Sequence, residues 1–189
     1  MTFENYRQKE TVALVYTGEG KGKTSASLGL MARALGHGWS VAFLQFIKHW
    51  QVGEHDFIQK IQPLFGAQLH FYKGGRGFYN AGEISAANIP EQEHRDAAER
   101  TYLEAMACAR SGNFQLVICD EMSNAVHDGL LKEEALEAVL RERHERTSIC
   151  ITGRYFPERL LPLVDIATHM SKIKHHFDDR FLANPGIDY

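Results

Sequence analysis

The 189-residue sequence has few cysteines, no long apolar run and little excess charge of either sign. Its three cysteines show no CxxC or zinc-ligand spacing, and its ten histidines show no HExxH pattern. No apolar run approaches the roughly 18 residues of a membrane span, and the N-terminal segment has no signal-like apolar core. A net charge of −3 favours neither nucleic acid nor an anionic membrane as a partner. These features predict a cytoplasmic protein that binds neither.

Length and composition are those of one ordinary globular domain. The hydrophobic content is 44% and the charged content is 24%, both within the range of compact folds. A chain of this length can bury one substantial core but not comfortably two. We therefore expect a single domain over residues 1–189.

The most informative stretch is a glycine-rich segment between an apolar run and a helical pattern. It reads Thr-Gly-Glu-Gly-Lys-Gly-Lys-Thr-Ser over residues 17–25. Glycines at alternate positions permit backbone angles at which successive N–H groups face an anion. The segment predicts a phosphate-binding loop, whose nucleotide contacts would come from Gly18, Glu19, Gly20, Lys21, Gly22, Lys23, Thr24 and Ser25.

Within this loop, Lys23 would place a point charge on the phosphates and the Thr24 hydroxyl would bind Mg²⁺. Thr17 stands where the general phosphate-loop pattern has glycine. A lysine-rich hairpin turn is the alternative interpretation. It would continue with alternating polarity, whereas the apolar residues over 28–35 have helical spacing. A nucleotide site is therefore favoured, with Gly36 predicted to terminate the helix.

A second acidic stretch complements the loop. Four apolar residues over 116–119 read as a buried parallel strand, which delivers Asp120 and Glu121 to its carboxyl end. In a phosphate-loop protein this end faces the nucleotide, so either carboxylate can hold Mg²⁺ or its water shell. Lys48 and Arg154 follow other predicted strands and are expected near the same edge. Arg154 fits equally a phosphate clamp or an ion pair with a local acid.

Strand-like and helix-like segments alternate along the chain. Strands are predicted over 11–16, 40–46, 67–72, 115–121, 148–152 and 166–171, and helices over 26–35, 54–62, 90–112 and 132–143. The third strand shows clear alternation and should lie near an edge. This pattern predicts an α/β, P-loop NTPase-like fold: a mainly parallel six-stranded sheet with helices on both faces.

Residues 73–89 form a long segment without periodicity. They include four glycines and two aromatic residues, Phe78 and Tyr79. Structureless loops of this length are typically lids or binding loops, or are simply disordered. The aromatic residues favour a ligand-facing loop, because a flexible linker would not need them.

In combination, these motifs resemble the ATP:corrinoid adenosyltransferases of cobalamin synthesis and salvage. The resemblance covers nearly the whole chain and includes the threonine that departs from the general loop pattern. The matching segments are residues 17–24, 33–38, 45–48, 77–78, 119–121, 128–131, 152–154, 174–175 and 185–187.

The resemblance implies that a reduced Co(I) corrinoid attacks the 5′ carbon of ATP and that triphosphate leaves. It implies catalytic roles for Lys23, Thr24, Phe78 and Arg154, and nucleotide contacts that include Arg33 and Lys48, although the position of Arg33 on its helix is more typical of a solvated side chain. It further implies Mg²⁺ or Mn²⁺ bound by Thr24, Asp120 and Glu121. A homodimer and a flavoprotein reductant are also implied.

The segment over residues 73–89 departs from the family pattern at one place. Many members carry Phe-x-Trp there, and the two aromatic residues displace the lower axial ligand of the corrinoid. Phe78 matches the phenylalanine, but Asn80 stands in the place of the tryptophan and Tyr79 lies one residue early.

Two other function classes share the phosphate loop. A small-molecule kinase should carry clustered arginines in its lid, and residues 73–89 contain only Arg76. An ATP-hydrolysing switch protein should carry a basic groove for its partner, which the acidic balance of the chain disfavours.

Overall fold

The computed structural model describes residues 4–77, Tyr79 and 89–189. In these residues, six short strands alternate with helices. The strands are β1 (Ala13–Thr17), β2 (Val41–Gln45), β3 (Leu69–Lys73), β4 (Leu116–Asp120), β5 (Ser148–Thr152) and β6 (Ile166–His169). The α-helices are α1 (Lys23–Gly36), α2 (Gly53–Phe65), α3 (Glu91–Ser111), α4 (Met122–His127) and α5 (Glu133–Arg141). Short 3₁₀ helices cover Gly66–Gln68, Glu158–Leu163 and His176–Asp179.

All six strands form one parallel sheet in the order β3-β2-β4-β5-β1-β6. The predicted parallel sheet is confirmed, and β3 lies at an edge as its alternation indicated. The register places Gln45 beside both Lys73 and Asp120, and Tyr16 beside Thr152. The carboxyl ends of the strands therefore meet along one edge of the sheet, where ligands bind in open α/β folds.

Helices cover both faces of the sheet and bury two apolar clusters. Met31 of α1 and Ile58 of α2 pack with Phe43 on one face, while Met106 of α3 and Leu136 of α5 belong to the cluster on the other. Because both faces are covered, β2, β4 and β5 are buried at every position, which explains their almost continuous apolar sequences. Strand β6, at the opposite edge from β3, is exposed throughout.

The glycine that terminates α1 lies two positions beyond the predicted one. Gly36 is the last helical residue, and Gly38 has the left-handed φ of +76° that ends the helix. The N–H of Trp39 donates to the Ala34 carbonyl at 3.0 Å, and the N–H of Gly38 donates to the Leu35 carbonyl at 2.9 Å. This pair of bonds is a Schellman motif. The prediction chose the wrong one of two nearby glycines, because either one is compatible with the apolar spacing.

Helix α4 was not predicted. It has only six residues, which is too short for a 3.6-residue period to be recognised in sequence. Among the described residues, none of the helices combines the length and the apolar character that crossing a membrane requires.

Candidate functional site

The turn between β1 and α1 is shaped by glycines and by the chain that follows β6. Gly18 and Gly22 have φ values of +102° and +105°, which side chains seldom accommodate. A Cβ on Gly18 or Gly20 would lie 2.5 or 2.7 Å from the carbonyl oxygen of Met170. The N–H of Gly20 donates to this same oxygen at 2.7 Å. Close packing against the segment after β6 therefore requires glycine at these positions.

Lys23 spans the inside of this turn. Its Nζ donates to the carbonyl oxygens of Gly18 at 2.6 Å and Gly20 at 2.7 Å. Burial is the main cause that lowers the pKa of Lys23, and the nearby Arg154 charge lowers it further. The ammonium group thus lies at the N-terminus of α1, where backbone N–H groups and the helix dipole favour an anion.

Thr24 and the end of β4 meet beside the loop. The Thr24 hydroxyl donates to Asp120 Oδ2 at 3.2 Å, and the Thr152 hydroxyl donates to Asp120 Oδ1 at 2.7 Å. The backbone N–H of Glu121 in turn donates to the Thr152 hydroxyl at 2.9 Å. Asp120 is fully buried, and hydroxyl groups from α1 and β5 hold the two oxygens of its carboxylate.

Glu121 differs from the acid beside it. Its backbone is left-handed, with φ of 61°, an uncommon conformation for a residue with a side chain and one that tends to occur at functional sites. Its Oε2 atom is buried and has no hydrogen-bond partner among the described residues. Burial, followed by the negative charge of Asp120, raises the pKa of Glu121, and Lys48, Lys23 and Arg154 oppose this rise. A buried oxygen with this environment is suited to a cation.

Lys48 lies on the other side of Thr24. Its Nζ forms an ion pair with Glu54 Oε1 at 2.5 Å and lies 3.4 Å from the Thr24 hydroxyl oxygen. The side chains of Lys48 and Glu54 are only 15% and 9% exposed. Burial opposes the charge on Lys48, but the acids Asp120, Glu121 and Glu54 raise its pKa overall. A buried cation is therefore fixed beside the hydroxyl of the loop.

Gln45 links this ion pair to the acid of β4. Its Nε2 donates to Asp120 Oδ2 at 3.1 Å and to Glu54 Oε1 at 3.4 Å. Its Oε1 must then accept the 2.6 Å bond from Nε2 of His55, which assigns the proton of a neutral imidazole to Nε2. Burial is also the main cause that lowers the pKa of His55. The amide thus fixes the positions of both acids.

Arg154 lies at the outer edge of the loop. One of its Nη atoms is 3.3 Å from Glu19 Oε2, and both side chains are about half exposed. A hydrogen bond from Tyr155 is the main cause that lowers the pKa of Glu19. The preceding Gly153 has φ of +138°, and a Cβ there would lie 2.7 Å from Oδ1 of Asn124. Arg154 therefore forms the predicted ion pair with a local acid. Because this acid, Glu19, belongs to the phosphate loop, Arg154 also lies where a phosphate clamp would be expected.

The remaining predicted residues make no described contact with this site. Ser25 is exposed in the first turn of α1. Arg33 is exposed in the last turn of this helix, and ten residues at 1.5 Å each put it about 15 Å along the axis from Lys23. The structure does not bring Arg33 to the loop. Phe78 and Asn80 lie outside the described residues.

The start of the segment over residues 73–89 is anchored beside Lys48. The N–H of Gly74 donates to the Gln45 carbonyl at 3.0 Å, and the N–H of Gly77 donates to the Ile47 carbonyl at 2.8 Å. A Cβ on Gly75 would lie 2.2 Å from the carbonyl carbon of Ile47. Residues 74–77 therefore follow the β2–α2 connection closely.

Two cavities are prominent among the described residues. One of about 350 Å³ adjoins the phosphate loop and is lined by Thr17, Gly18, Glu19, Tyr155, Phe156, Glu158, Leu161, Ala167, Thr168 and His169. The other, of about 820 Å³, is lined mainly by charged residues of α3 and α5, away from the loop. The chemistry of the loop, rather than cavity size, identifies the candidate site.

Sequence reasoning missed three residues that organise this site. Gln45 and Thr152 end β2 and β5, and Glu54 lies in the first turn of α2. Each was a polar residue at the carboxyl end of a predicted strand or in the turn that follows. That position was the available signal, but the partner of each residue depends on the strand order.

Comparison with known families gives one match over residues 9–189, to a family described as ATP:corrinoid adenosyltransferase BtuR/CobO/CobP. The corrinoid adenosyltransferase of Pseudomonas aeruginosa is 31% identical over 184 residues, which cover 97% of this chain and 86% of that protein. The corrinoid adenosyltransferase of Escherichia coli K12 is 33% identical over 181 residues, with coverage of 94% and 85%.

Among solved structures, the flagellar accessory protein FlaH from Methanocaldococcus jannaschii is similar in fold. Its TM-score is 0.50 at 12% identity, with 85% of this chain and 71% of that chain covered. At this identity the likeness concerns the fold alone, and it agrees with the parallel α/β sheet described above.

Proposed function

This chain belongs to the ATP:corrinoid adenosyltransferase family BtuR/CobO/CobP, and from this premise we propose how it acts. The Co(I) centre of a reduced corrinoid attacks the 5′ carbon of ATP. The electron pair of cobalt becomes the Co–C bond, the C5′–O bond breaks, and its electrons leave on inorganic triphosphate. The observation that carries this proposal is a phosphate loop at the carboxyl edge of the sheet, with Lys23 inside it and acids beside it.

The reaction requires no nucleophile or base from the protein, since cobalt is the nucleophile and no proton is transferred. The tasks left to the chain are to position ATP and to stabilise the charge of the departing triphosphate. Lys23 and the loop N–H groups would hold the phosphates, and Arg154 would leave Glu19 to reach them. An exposed pair such as Arg154–Glu19 is weak, so this exchange of partners costs little.

The acids beside the loop fit a divalent cation of the Mg²⁺ or Mn²⁺ type. The Thr24 hydroxyl, the Asp120 carboxylate and the buried Oε2 of Glu121, which has no hydrogen-bond partner among the described residues, are the oxygen donors that such cations prefer. When bound, the cation would neutralise triphosphate charge. Gln45 and Thr152 would keep Asp120 oriented, and Lys48 would keep a positive charge beside Thr24.

The corrinoid is proposed to meet the segment over 73–89. Its described start lies beside Lys48, and the ring of Tyr79 lies 5.4 Å from that of His94. We assign to Phe78 the role of pressing against the corrinoid and excluding water from cobalt. We also propose, from the family, a cytoplasmic homodimer whose corrinoid substrate is reduced by a flavoprotein.

Product analysis by phosphorus NMR tests the proposed reaction. ATP should yield triphosphate only when Co(I) corrinoid is supplied, and the corrinoid spectrum should change to that of the alkylated form in step. Release of ADP or phosphate at a comparable rate without corrinoid would instead identify a kinase or a hydrolase.

A further inference from the structure

A buried carboxylate in the C-terminal segment contacts the phosphate loop. Residues 177–187 are exposed along their whole length, yet the side chain of Asp188, which follows them, is only 3% exposed. It forms an ion pair with Nζ of Lys21, a residue of the loop between Gly20 and Gly22. Because Asp188 is enclosed although the residues before it are exposed, we infer that it anchors the C-terminal segment to the phosphate loop.

The segment around Asp188 is folded into a compact turn. The N–H of Asn184 donates to Asp188 Oδ2 at 2.8 Å, and the N–H of Asp188 donates back to the Asn184 carbonyl at 2.8 Å. Gly186 provides the positive φ of 77° that the turn requires, and Nε2 of His176 lies 3.5 Å from Asp188 Oδ2. Contacts within its own segment thus fix the position of the carboxylate that pairs with Lys21.

The turn also reaches α2 on the other side of the site. A Cβ built on Gly53 would lie 3.6 Å from the carbonyl group of Tyr189, and Gly53 directly precedes Glu54, the partner of Lys48. The phosphate loop is therefore contacted at two points by chain that follows β6. The Met170 carbonyl holds the N–H of Gly20, and Asp188 holds the side chain of Lys21.

The two lysines of the loop consequently have different surroundings. Lys23 points inward to loop carbonyl groups, whereas Lys21 is half exposed and bound to Asp188. We propose that Asp188 is a positioning residue for ATP: it holds Lys21, and through it the tip of the loop, in the form that receives the triphosphate. This inference rests on the proposed function, because it assumes that the loop binds the phosphates of ATP.

The direction in which Asp188→Asn changes the Kd for ATP distinguishes a positioning role from a purely electrostatic effect of the carboxylate charge. Asp188→Asn removes a negative charge close to the triphosphate site, and charge alone would then tighten anion binding. If Asp188 positions the loop, the same substitution weakens binding. We expect the Kd for inorganic triphosphate and for ATP, measured by calorimetry with Mg²⁺ and without corrinoid, to rise about five- to tenfold. Asp188→Glu, which keeps the charge, should restore part of the affinity.

Two further variants make the test specific. In a Lys21→Met background, Asp188→Asn should have little additional effect, because the two residues act as a pair. Asp178→Asn is the matched control: it breaks the 2.9 Å ion pair with Lys172 in the same part of the chain and should leave both Kd values unchanged. Thermal melting of each variant shows whether the fold is retained.

Unchanged or tighter binding by Asp188→Asn would overturn the positioning role, as would an undiminished effect in the Lys21→Met background. Failure of the unmodified chain to bind either ATP or triphosphate would overturn the proposed function as well. The two failures are therefore distinguishable.

Discussion

At the scale of single residues, neighbours in sequence have different surroundings. Asp120 accepts hydrogen bonds on both carboxylate oxygens, whereas Glu121 has one buried oxygen without a described partner. Lys23 lies within the loop, whereas Lys21 is bound by Asp188. Residue type alone would suggest one role for the two acids and one role for the two lysines. Their contacts show that the members of each pair differ.

Lys23 allows the sharpest test at this scale. Lys23→Ala removes the ammonium group that would stabilise the departing triphosphate, and losing one such group typically costs about 3–4 kcal/mol of transition-state stabilisation. The rate of adenosyl transfer should fall about a hundredfold or more, and it is measured by the spectral change of Co(I) corrinoid.

The exposed Lys60 of α2 is the matched control, and Lys60→Ala should leave the rate unchanged. Circular dichroism must show that both variants are folded. A folded Lys23→Ala variant that keeps more than about a tenth of the activity would rule out the assigned role.

The sequence predicts the residues at this site whose role depends on a local motif, and it misses those that depend on pairing. Lys23 and Thr24 follow from the spacing of the loop, and Asp120 follows from a buried strand that ends in acids. Gln45 and Thr152 contact Asp120 only because β2 and β5 flank β4 in the sheet. The contact between Lys21 and Asp188 joins residues 167 positions apart, and no local pattern indicates it.

At the scale of elements, the loop depends on its packing against the segment after β6. Gly20→Ala would place a Cβ 2.7 Å from the Met170 carbonyl oxygen and 2.8 Å from that of Ser171. Both are backbone atoms, so the two segments must separate. We expect a loss of about 1–3 kcal/mol in the free energy of unfolding together with weaker ATP binding.

Gly29 of α1 provides the matched substitution. A Cβ there meets nothing within 4 Å among the described residues, and alanine stabilises a helix interior relative to glycine. Gly29→Ala should raise the free energy of unfolding by about 0.5–1 kcal/mol. Urea denaturation of both variants measures these changes, and equal effects of the same sign would contradict the packing argument.

The loop over 73–89 is the element that the corrinoid is proposed to contact. Phe78→Ala should impair transfer from enzymatically reduced Co(II) much more than transfer from chemically supplied Co(I), because an axial-ligand role matters before reduction. ATP affinity and melting temperature should barely change.

A Phe78→Ala variant that loses both reactions equally, together with several degrees of melting temperature, would have a structural defect. The role would then have to pass to Tyr79 or be abandoned. Tyr79→Ala, assayed in the same two ways, separates these outcomes.

At the scale of the whole molecule, the sequence predicts the fold well because α/β folds repeat one simple pattern. Alternating apolar strands and helices imply a parallel sheet, and the alternation in β3 indicated its edge position. The sequence does not predict that β6 lies beside β1, nor that β6 is exposed throughout. Strand order is set by contacts between distant segments, and the end of α1 was misplaced because two glycines satisfied the same local rule.

Because of this architecture, we expect ATP binding to stabilise the whole fold. The proposed ligand would contact the loop after β1 and the ends of β4 and β5, and these strands are joined in one sheet. A ligand that binds only the folded state adds about 2.7 kcal/mol of stability at a hundred times its Kd. For a domain of this size, this gain corresponds to a rise in melting temperature of roughly 5–10 °C.

Scanning calorimetry with ATP and Mg²⁺ measures this shift, and two comparisons locate its origin. Adenosine lacks the phosphates, so it should produce only a small part of the shift, and Lys23→Ala should lose most of the response to ATP. Because Thr24, Asp120 and Glu121 are the proposed cation ligands, EDTA should reduce the response as well. An equal rise in melting temperature with adenosine and with ATP would show that the nucleoside supplies the binding free energy. The role assigned to the phosphate loop would then be wrong.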